Sequence, residues 1–294
     1  MPSIMHIPVP ENNGDVDIKS SHVRGLDSIA VKLGAGFFDN YRIGLPNASA
    51  MVVLLSTKTG FAEAVLLDNG YLTDVRTGAA GAFVAKSLSR EKIDTAGVIG
   101  AGAQGRYQML GLGLVRDFKR LMVYDISPER VEKYVQEMVP TLGVEIVATD
   151  DARTVVENSD IVVTTTPSKE AYLKAEWLHP GLHITCMGAD LPEKQELEPG
   201  VLSRADLLVC DRKSQCFTMG ELHHGLEAGL LSENSKILEL GEPTSGRMAG
   251  RKSEDQITIC DLTGTGVQDK VISLLAYRKA IDQGLGLQVE NSVG

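Results

Sequence analysis

The stretch Thr95-Ala-Gly-Val-Ile-Gly-Ala-Gly-Ala-Gln-Gly105 constrains the fold more than any other part of the chain. A short, mainly apolar run, composed like a buried strand, leads straight into GxGxxG spacing. A helical stretch follows to about Val115. A second apolar run, Arg120-Leu-Met-Val-Tyr124, then ends at Asp125, twenty residues past Gly105. A glycine-rich turn alone says little. Between a strand and a helix, with an acid closing the next strand, it is the setting of a dinucleotide site.

The chemistry expected of each position is specific. Gly100 makes the tight turn, Gly102 lets a pyrophosphate approach the backbone, and Gly105 lets the helix pack on its strand. The N-terminus of the helix that opens here offers free N–H groups and the positive end of its dipole to the phosphates. A carboxylate at 125 accepts both ribose hydroxyls of NAD and repels the 2′-phosphate of NADP. Ile126, Ser127 and Pro128 follow it, with no Arg, so the reading favours NAD. The competing reading is an Asp125 that only precedes the helix cap at Ser127 and faces water.

Around this motif the chain alternates apolar strands with helices. After Asp125, Ser127-Pro-Glu-Arg opens a helix with a serine cap and proline in the first turn. Further strands are expected at Val144–Val147, Asp160–Thr166, His183–Met187 and Asp206–Cys210, with a short helix over 152–159. That alternation predicts a doubly wound parallel sheet of the Rossmann type. The front of the chain reads differently. Residues 1–14, rich in Pro and Asn, read as irregular. Ser28–Leu33 alternates, and Ala50–Leu55 and Phe61–Leu67 pair as a hairpin across Thr59-Gly60. A small-residue helix spans Thr73 to Arg90, and the end carries a strand at Ile257–Cys260 and a helix from Val267 to Gln283. The expected organisation is a smaller α+β domain, 1–93 plus 262–294, for substrate binding and dimerisation. The Rossmann-type domain, 94–261, is inserted into it.

Composition narrows the function. With 29 basic and 39 acidic residues the net charge is −10, which repels phosphate backbones and anionic lipid surfaces. Nucleic-acid and membrane partners are therefore not expected, and no apolar run is long enough to span a bilayer. The N-terminus shows no secretory pattern, so a cytoplasmic enzyme is expected. Cys186, Cys210, Cys216 and Cys260 form no CxxC pair and read as reduced core thiols. The six histidines show no HExxH-like spacing, and no metal site is expected.

Hydride chemistry on a small acid needs a cation for the carboxylate and a proton carrier near the reacting carbon. Lys32 stands in an otherwise apolar strand, Arg76 in the small-residue helix, and Asp190 just past the strand His183–Met187. By pattern alone Lys32 and Arg76 read more readily as structural charges, while Asp190 is equally a structural and a functional residue. The carboxyl ends of strands form the crevice of an open α/β sheet.

At these residues the chain resembles the ornithine cyclodeaminase/mu-crystallin family. The matching stretches are Val31-Lys-Leu, Ile43-Gly-Leu-Pro46, Leu66-Leu-Asp-Asn-Gly70, Leu72-Thr-Asp-Val-Arg-Thr-Gly78, Val98-Ile-Gly-Ala-Gly-Ala-Gln104, Met187-Gly-Ala-Asp190 with Lys194 and Glu196, Gly220-Glu221 and Leu262-Thr-Gly264. Pro10 to Lys19 and Gly36 to Asn40 look most like the ectoine-utilisation branch. The resemblance implies a homodimer paired through β-sheet. It implies Lys32 and Arg76 on the substrate carboxylate and Asp190 as acid/base at the amine. Ala103, Gln104, Asp125, Thr166, Lys194 and Thr263 would line the cofactor. It implies hydride removal from Cα of a small (di)amino acid to NAD, then imine formation and ammonia loss with return of the hydride. Reductase or dehydrogenase chemistry on the same scaffold is one alternative, and a crystallin-like binding protein without turnover is another. His6 stands where the family has a carboxylate-binding Arg behind a longer leading segment. Imidazole lacks the guanidinium fork.

Overall fold

The computed structural model describes Pro2 and residues 4–289. It divides into two compact units. One holds the chain up to Arg76 together with the segment from Thr265, and the other is Thr77–Gly264.

The first unit is built on an antiparallel sheet of β1 (Met5–Val9), β2 (Gly14–Ser21), β3 (Ser28–Phe37), β4 (Ala48–Ser56) and β5 (Ala62–Leu66), in that order across the sheet. Residues 1–14 are thus not irregular throughout: Met5–Val9 pairs with Gly14–Ile18. Pro8 is tolerated because β1 is an edge strand, where a missing N–H costs no ladder bond. Alternation sorts the side chains. Ala30, Val52 and Leu54 lie on one face, packed with Leu274 of the C-terminal helix. Val31, Leu33, Met51, Val53 and Val65 lie on the other.

Helix α1 (Tyr71–Leu88) starts after a turn in which Asn69 and Gly70 both have positive φ. The expected division at 93/94 falls instead at Arg76/Thr77, inside this helix. The reason is packing: Ala80, Val84 and Leu88 join a core with Val209, Leu238, Leu240, Cys260 and Leu262 of the second unit. The rear division likewise lies at Gly264/Thr265 rather than 261/262.

The second unit contains an eight-stranded, wholly parallel sheet. Its elements are β6 (Thr95–Ile99), α2 (Ala103–Gly113), β7 (Arg120–Tyr124), α3 (Pro128–Leu142), β8 (Glu145–Ala148), α4 (Ala152–Glu157), β9 (Ile161–Thr164), β10 (His183–Cys186), α5 (Pro199–Leu202), β11 (Leu207–Cys210), α6 (Lys213–Cys216), α7 (Glu221–Glu227), β12 (Ile237–Glu239), α8 (Gly241–Thr244) and β13 (Thr258–Asp261). The strand order is β12-β11-β13-β10-β9-β6-β7-β8. From β6 the chain winds outward through β7 and β8, then returns to β9 on the other side of β6. That reversal between β6 and β9 makes a binding crevice at their carboxyl ends. Ser127 caps α3 as expected, its hydroxyl accepting from the Arg130 N–H. All four cysteines are buried free thiols. Among the described residues no helix is long and apolar enough to cross a membrane.

The chain closes with α9 (Gly266–Asp282), which packs on β2 and β3 of the first unit. Thr265 caps it, forming a capping box with Gln268.

Candidate functional site

In the first unit, Lys32 and Arg76 meet on one carboxylate that spacing did not single out. Asp269 Oδ1 accepts from Lys32 Nζ at 3.2 Å and from Arg76 Nε at 2.9 Å. Arg76 Nη1 also donates to Gln268 Oε1 at 3.1 Å. All three charged groups are nearly buried. Burial and the neighbouring Arg76 charge lower the Lys32 pKa to about 8, outweighing the support it receives from Asp269. For Asp269, burial acts upward, but Arg76 and Lys32 overcome it and hold the carboxyl below its ordinary range. The two cations on this one anion, with buried Lys19 also acting on Lys32 and Asp269, leave positive charge in excess in a dry place, suited to a carboxylate ligand. His6 stands on the same sheet face. The pairings His6↔Asp17, Asp17↔Gly34 and Lys19↔Lys32 set it two strands away from β3. Its Nδ1 lies 2.8 Å from Asp17 Oδ1.

In the second unit, the glycine turn has the form the motif predicts. Gly100 has φ of +105°, a conformation that favours glycine, and a Cβ there would meet Thr165 Oγ1 at 2.6 Å. A Cβ at Gly105 would collide with the Gly100 carbonyl, whereas the space above Gly102 is open. Asp125 holds this loop directly. Its Oδ2 accepts from the Ala101 N–H at 2.9 Å and its Oδ1 from the Ser127 N–H at 2.9 Å. It is therefore not simply facing water. Each oxygen keeps a lone pair for a further donor. Beside it lies a cavity of about 490 Å³ lined by Tyr124, Asp125, Ile126, Val131, Val135 and Thr149, among others. Ala103 and Gln104 begin α2.

The other expected residues stand on the same sheet edge, past the carboxyl ends of β9, β10 and β13. Lys194 Nζ donates to Asp190 Oδ1 at 2.7 Å, with Lys194 nearly buried and Asp190 half exposed. Thr263 accepts from Gln215 Nε2 at 2.7 Å and donates to Asp211 Oδ1 at 3.2 Å. Thr166 is held by Glu196, whose role spacing gave no means of assigning. Glu196 Oε1 accepts from the Thr166 N–H (2.7 Å), the Thr166 hydroxyl (2.7 Å) and the Tyr172 hydroxyl (2.9 Å). Its Oε2 accepts from the Thr164 hydroxyl (2.6 Å) and the Gly188 N–H (3.0 Å). One carboxylate thus ties the end of β9 to the turn that leads to Asp190. Behind it, Glu221 accepts from the N–H groups of Glu196 and Leu197, and Asp261 from that of Leu222. Burial pushes the Asp261 carboxyl up to about 8 and raises Glu196 and Glu221 as well.

A dinucleotide turn of this form, an acid closing the second strand, and a separate cation pair are now all in place. The model of the ornithine cyclodeaminase/mu-crystallin family matches residues 1–284. The chain belongs to that family. A relative from Sinorhizobium fredii, named as an uncharacterized cyclodeaminase, is 45% identical over 99% of this chain and 88% of its own length. Among solved structures, the family fold is shared with Thermococcus litoralis Δ1-pyrroline-2-carboxylate reductase in complex with NADH and L-proline. The TM-score is 0.92 and the identity 31%, over 98% of this chain and 89% of that one. An archaeal alanine dehydrogenase dimer with bound NAD matches with a TM-score of 0.91 and 32% identity, over 99% and 88%. Both of these solved relatives hold a nicotinamide nucleotide.

Proposed function

We propose that this family member is an NAD-dependent enzyme of the cyclodeaminase type acting on a small amino or diamino acid. The observation that carries the reading is the Asp190–Lys194 pair, set past β10 on the sheet edge that also bears the Gly100–Gly105 turn and Asp125. NAD fits this unit: the space above Gly102 is open for a pyrophosphate, and Asp125 has acceptor capacity for ribose hydroxyls. Gly100, Gly102, Ala103, Gln104, Gly105, Asp125, Thr166, Lys194 and Thr263 are the residues we assign to it. When bound it supplies a hydride acceptor.

The protein's own residues do the rest. Lys32 and Arg76 hold the substrate carboxylate and so fix the orientation of Cα. Asp190, ionised beside Lys194, takes a proton from the substrate amine, leaving the lone pair needed for imine formation. Return of that proton serves the later steps. In the cyclodeaminase reading a second amine attacks the imine carbon, ammonia leaves, and the hydride first removed returns to that carbon, so there is no net redox change. The likeness of Pro10–Lys19 to the ectoine-utilisation branch supports a diamino acid of that metabolism.

A second reading, net oxidation or reduction of an amino/imino acid pair, is favoured by the likeness to a pyrroline-2-carboxylate reductase and an alanine dehydrogenase above 30% identity. A homodimer is part of the proposal. The outer face of the five-stranded sheet presents Met5, Ile7, Met51 and Val65, all substantially exposed, beside Val31, Leu33 and Val53. A second copy would cover that apolar face.

The test is a panel of diamino and imino acids with NAD+ or NADH, scored for ammonia and for absorbance at about 340 nm (the NADH band exploited for hydride transfer). Ammonia without net absorbance change supports the cyclodeaminase. A stoichiometric absorbance change selects the second reading. Asp190→Ala should abolish turnover and leave NAD+ binding intact; undiminished turnover removes Asp190 from its role.

A further inference from the structure

We propose that His223, His224 and Glu227 form a zinc site on α7, apart from the residues assigned to nucleotide and substrate. Their ligand atoms all lie within 4.8 Å of one another. His223 Nε2 is 3.5 Å from Glu227 Oε1, and His224 Nδ1 is 3.9 Å from Glu227 Oε2. Ligands about 2.1 Å from a tetrahedral ion stand roughly 3.4 Å apart. Small side-chain rotations therefore bring the three atoms onto one ion.

The orientation of His224 is the second, independent observation. Its Nε2 lies 2.8 Å from the Lys194 carbonyl oxygen. A carbonyl only accepts, so Nε2 carries a proton, and in the neutral ring that a metal binds it is Nδ1, on the side of Glu227, that offers the lone pair. An imidazole whose far N–H is tied to a backbone carbonyl is the usual support of a metal-bound histidine. Both rings are mostly buried, at 20% and 14% exposure, while Glu227 is 64% exposed. The site is thus dry on the histidine side and open to water at the fourth position. Two imidazoles and one carboxylate suit Zn2+ and leave Mg2+ and Ca2+, which prefer all-oxygen sets, poorly served. An ion on Nδ1 would also polarise Nε2–H and tighten its bond to the Lys194 carbonyl, in the segment whose side chain pairs with Asp190.

The experiment is calorimetric titration of the EDTA-stripped full chain with ZnCl2, and separately with MgCl2, in a non-chelating buffer. One zinc per chain is expected, with no comparable magnesium binding. His223→Ala, His224→Ala and Glu227→Gln should each weaken zinc by more than about tenfold, with far-UV circular dichroism unchanged. In a parallel titration Co2+ should give visible d–d bands without a near-ultraviolet thiolate band, since histidine and carboxylate are the ligands. The proposal is overturned by absent zinc binding, by equal binding in His223→Ala and Glu227→Gln, by equal affinity for Mg2+, or by a thiolate band marking the cysteines as the binding site.

Discussion

Lys32 Nζ lies 3.2 Å from Asp269 Oδ1 across residues far apart in the chain, both nearly buried. The same oxygen accepts from Arg76. The carboxylate is therefore the device that allows two cations to share a dry site and stay aimed together. Asp269→Asn keeps the shape and removes the charge. It leaves two buried cations uncompensated, a change that costs about 3–5 kcal/mol in such pairs. Denaturant unfolding should show a loss of that order. In the folded fraction, KM for the amino acid should rise more than kcat falls, because the cations are mispositioned for the carboxylate rather than absent from the reaction. An Asn variant with unchanged stability would show that the pair is solvated.

If Lys32 holds the substrate carboxylate, as proposed, its depressed pKa gives that binding a pH limit. Burial, followed by the Arg76 charge, places it at about 8. Below that value the ammonium is present to hold a carboxylate, and above it the charge is lost. KM should therefore rise as pH passes about 8, while kcat at saturation changes less. Lys32→Arg stays protonated throughout. Its KM, higher at neutral pH for want of the same geometry, should lack the break near 8. A wild-type KM that is flat from pH 7 to 10 would remove Lys32 from carboxylate binding.

Much of the second unit was legible because a buried parallel strand is a short apolar run with turn signals on each side. β6, β7 and β13 need nothing else to be found, apart from a shift of one residue at the ends of β13. β12 was missed: Ile237–Glu239 is three residues long, too short for any periodicity. β1 was missed because Pro8 and Pro10 mark a break by composition, although an edge strand tolerates them. The sites divide in the same way. Gly100, Gly105 and Asp125 lie within one local pattern and could be read from spacing. Asp269 could not: in Val267-Gln-Asp-Lys270 it looks like the polar side of an amphipathic helix, and only the docking of α9 on β3 buries it beside Lys32. Glu196 was visible as a family position, but its work depends on Thr164, Thr166, Tyr172 and Gly188 converging from three separate segments.

In the proposed function Asp125 carries the choice of nucleotide. With its two oxygens already fixed by the Ala101 and Ser127 N–H groups, the carboxylate has little freedom to turn away from a 2′-phosphate. Asp125→Ala removes that repulsion and two of the bonds that shape the turn. NAD+ should bind at least about tenfold more weakly, as expected for loss of a charged hydrogen-bonding group of roughly 1.5–3 kcal/mol, and preference over NADP+ should shrink. Calorimetric titration with each nucleotide reads both effects. A wild type that already prefers NADP+ would reverse the assignment.

Glu196 makes a sharper test of how the sheet edge is held. Each of its oxygens faces one backbone N–H, from Thr166 on one side and Gly188 on the other, and those groups can only donate. Glutamine keeps one acceptor and presents an NH2 to the other N–H, whichever way its amide turns. One buried donor is then unsatisfied, at about 1–3 kcal/mol. The hydroxyls of Thr164, Thr166 and Tyr172 can rotate to compensate, so the fold should survive Glu196→Gln. Urea unfolding should register that loss. Because the tie joins Thr166 to the turn before Asp190, the variant should also weaken NAD+ binding and lower kcat, whereas Tyr172→Phe, which removes a single adaptable donor, should do much less. Equal effects from the two substitutions would mean that the backbone donors are not what Glu196 holds in place.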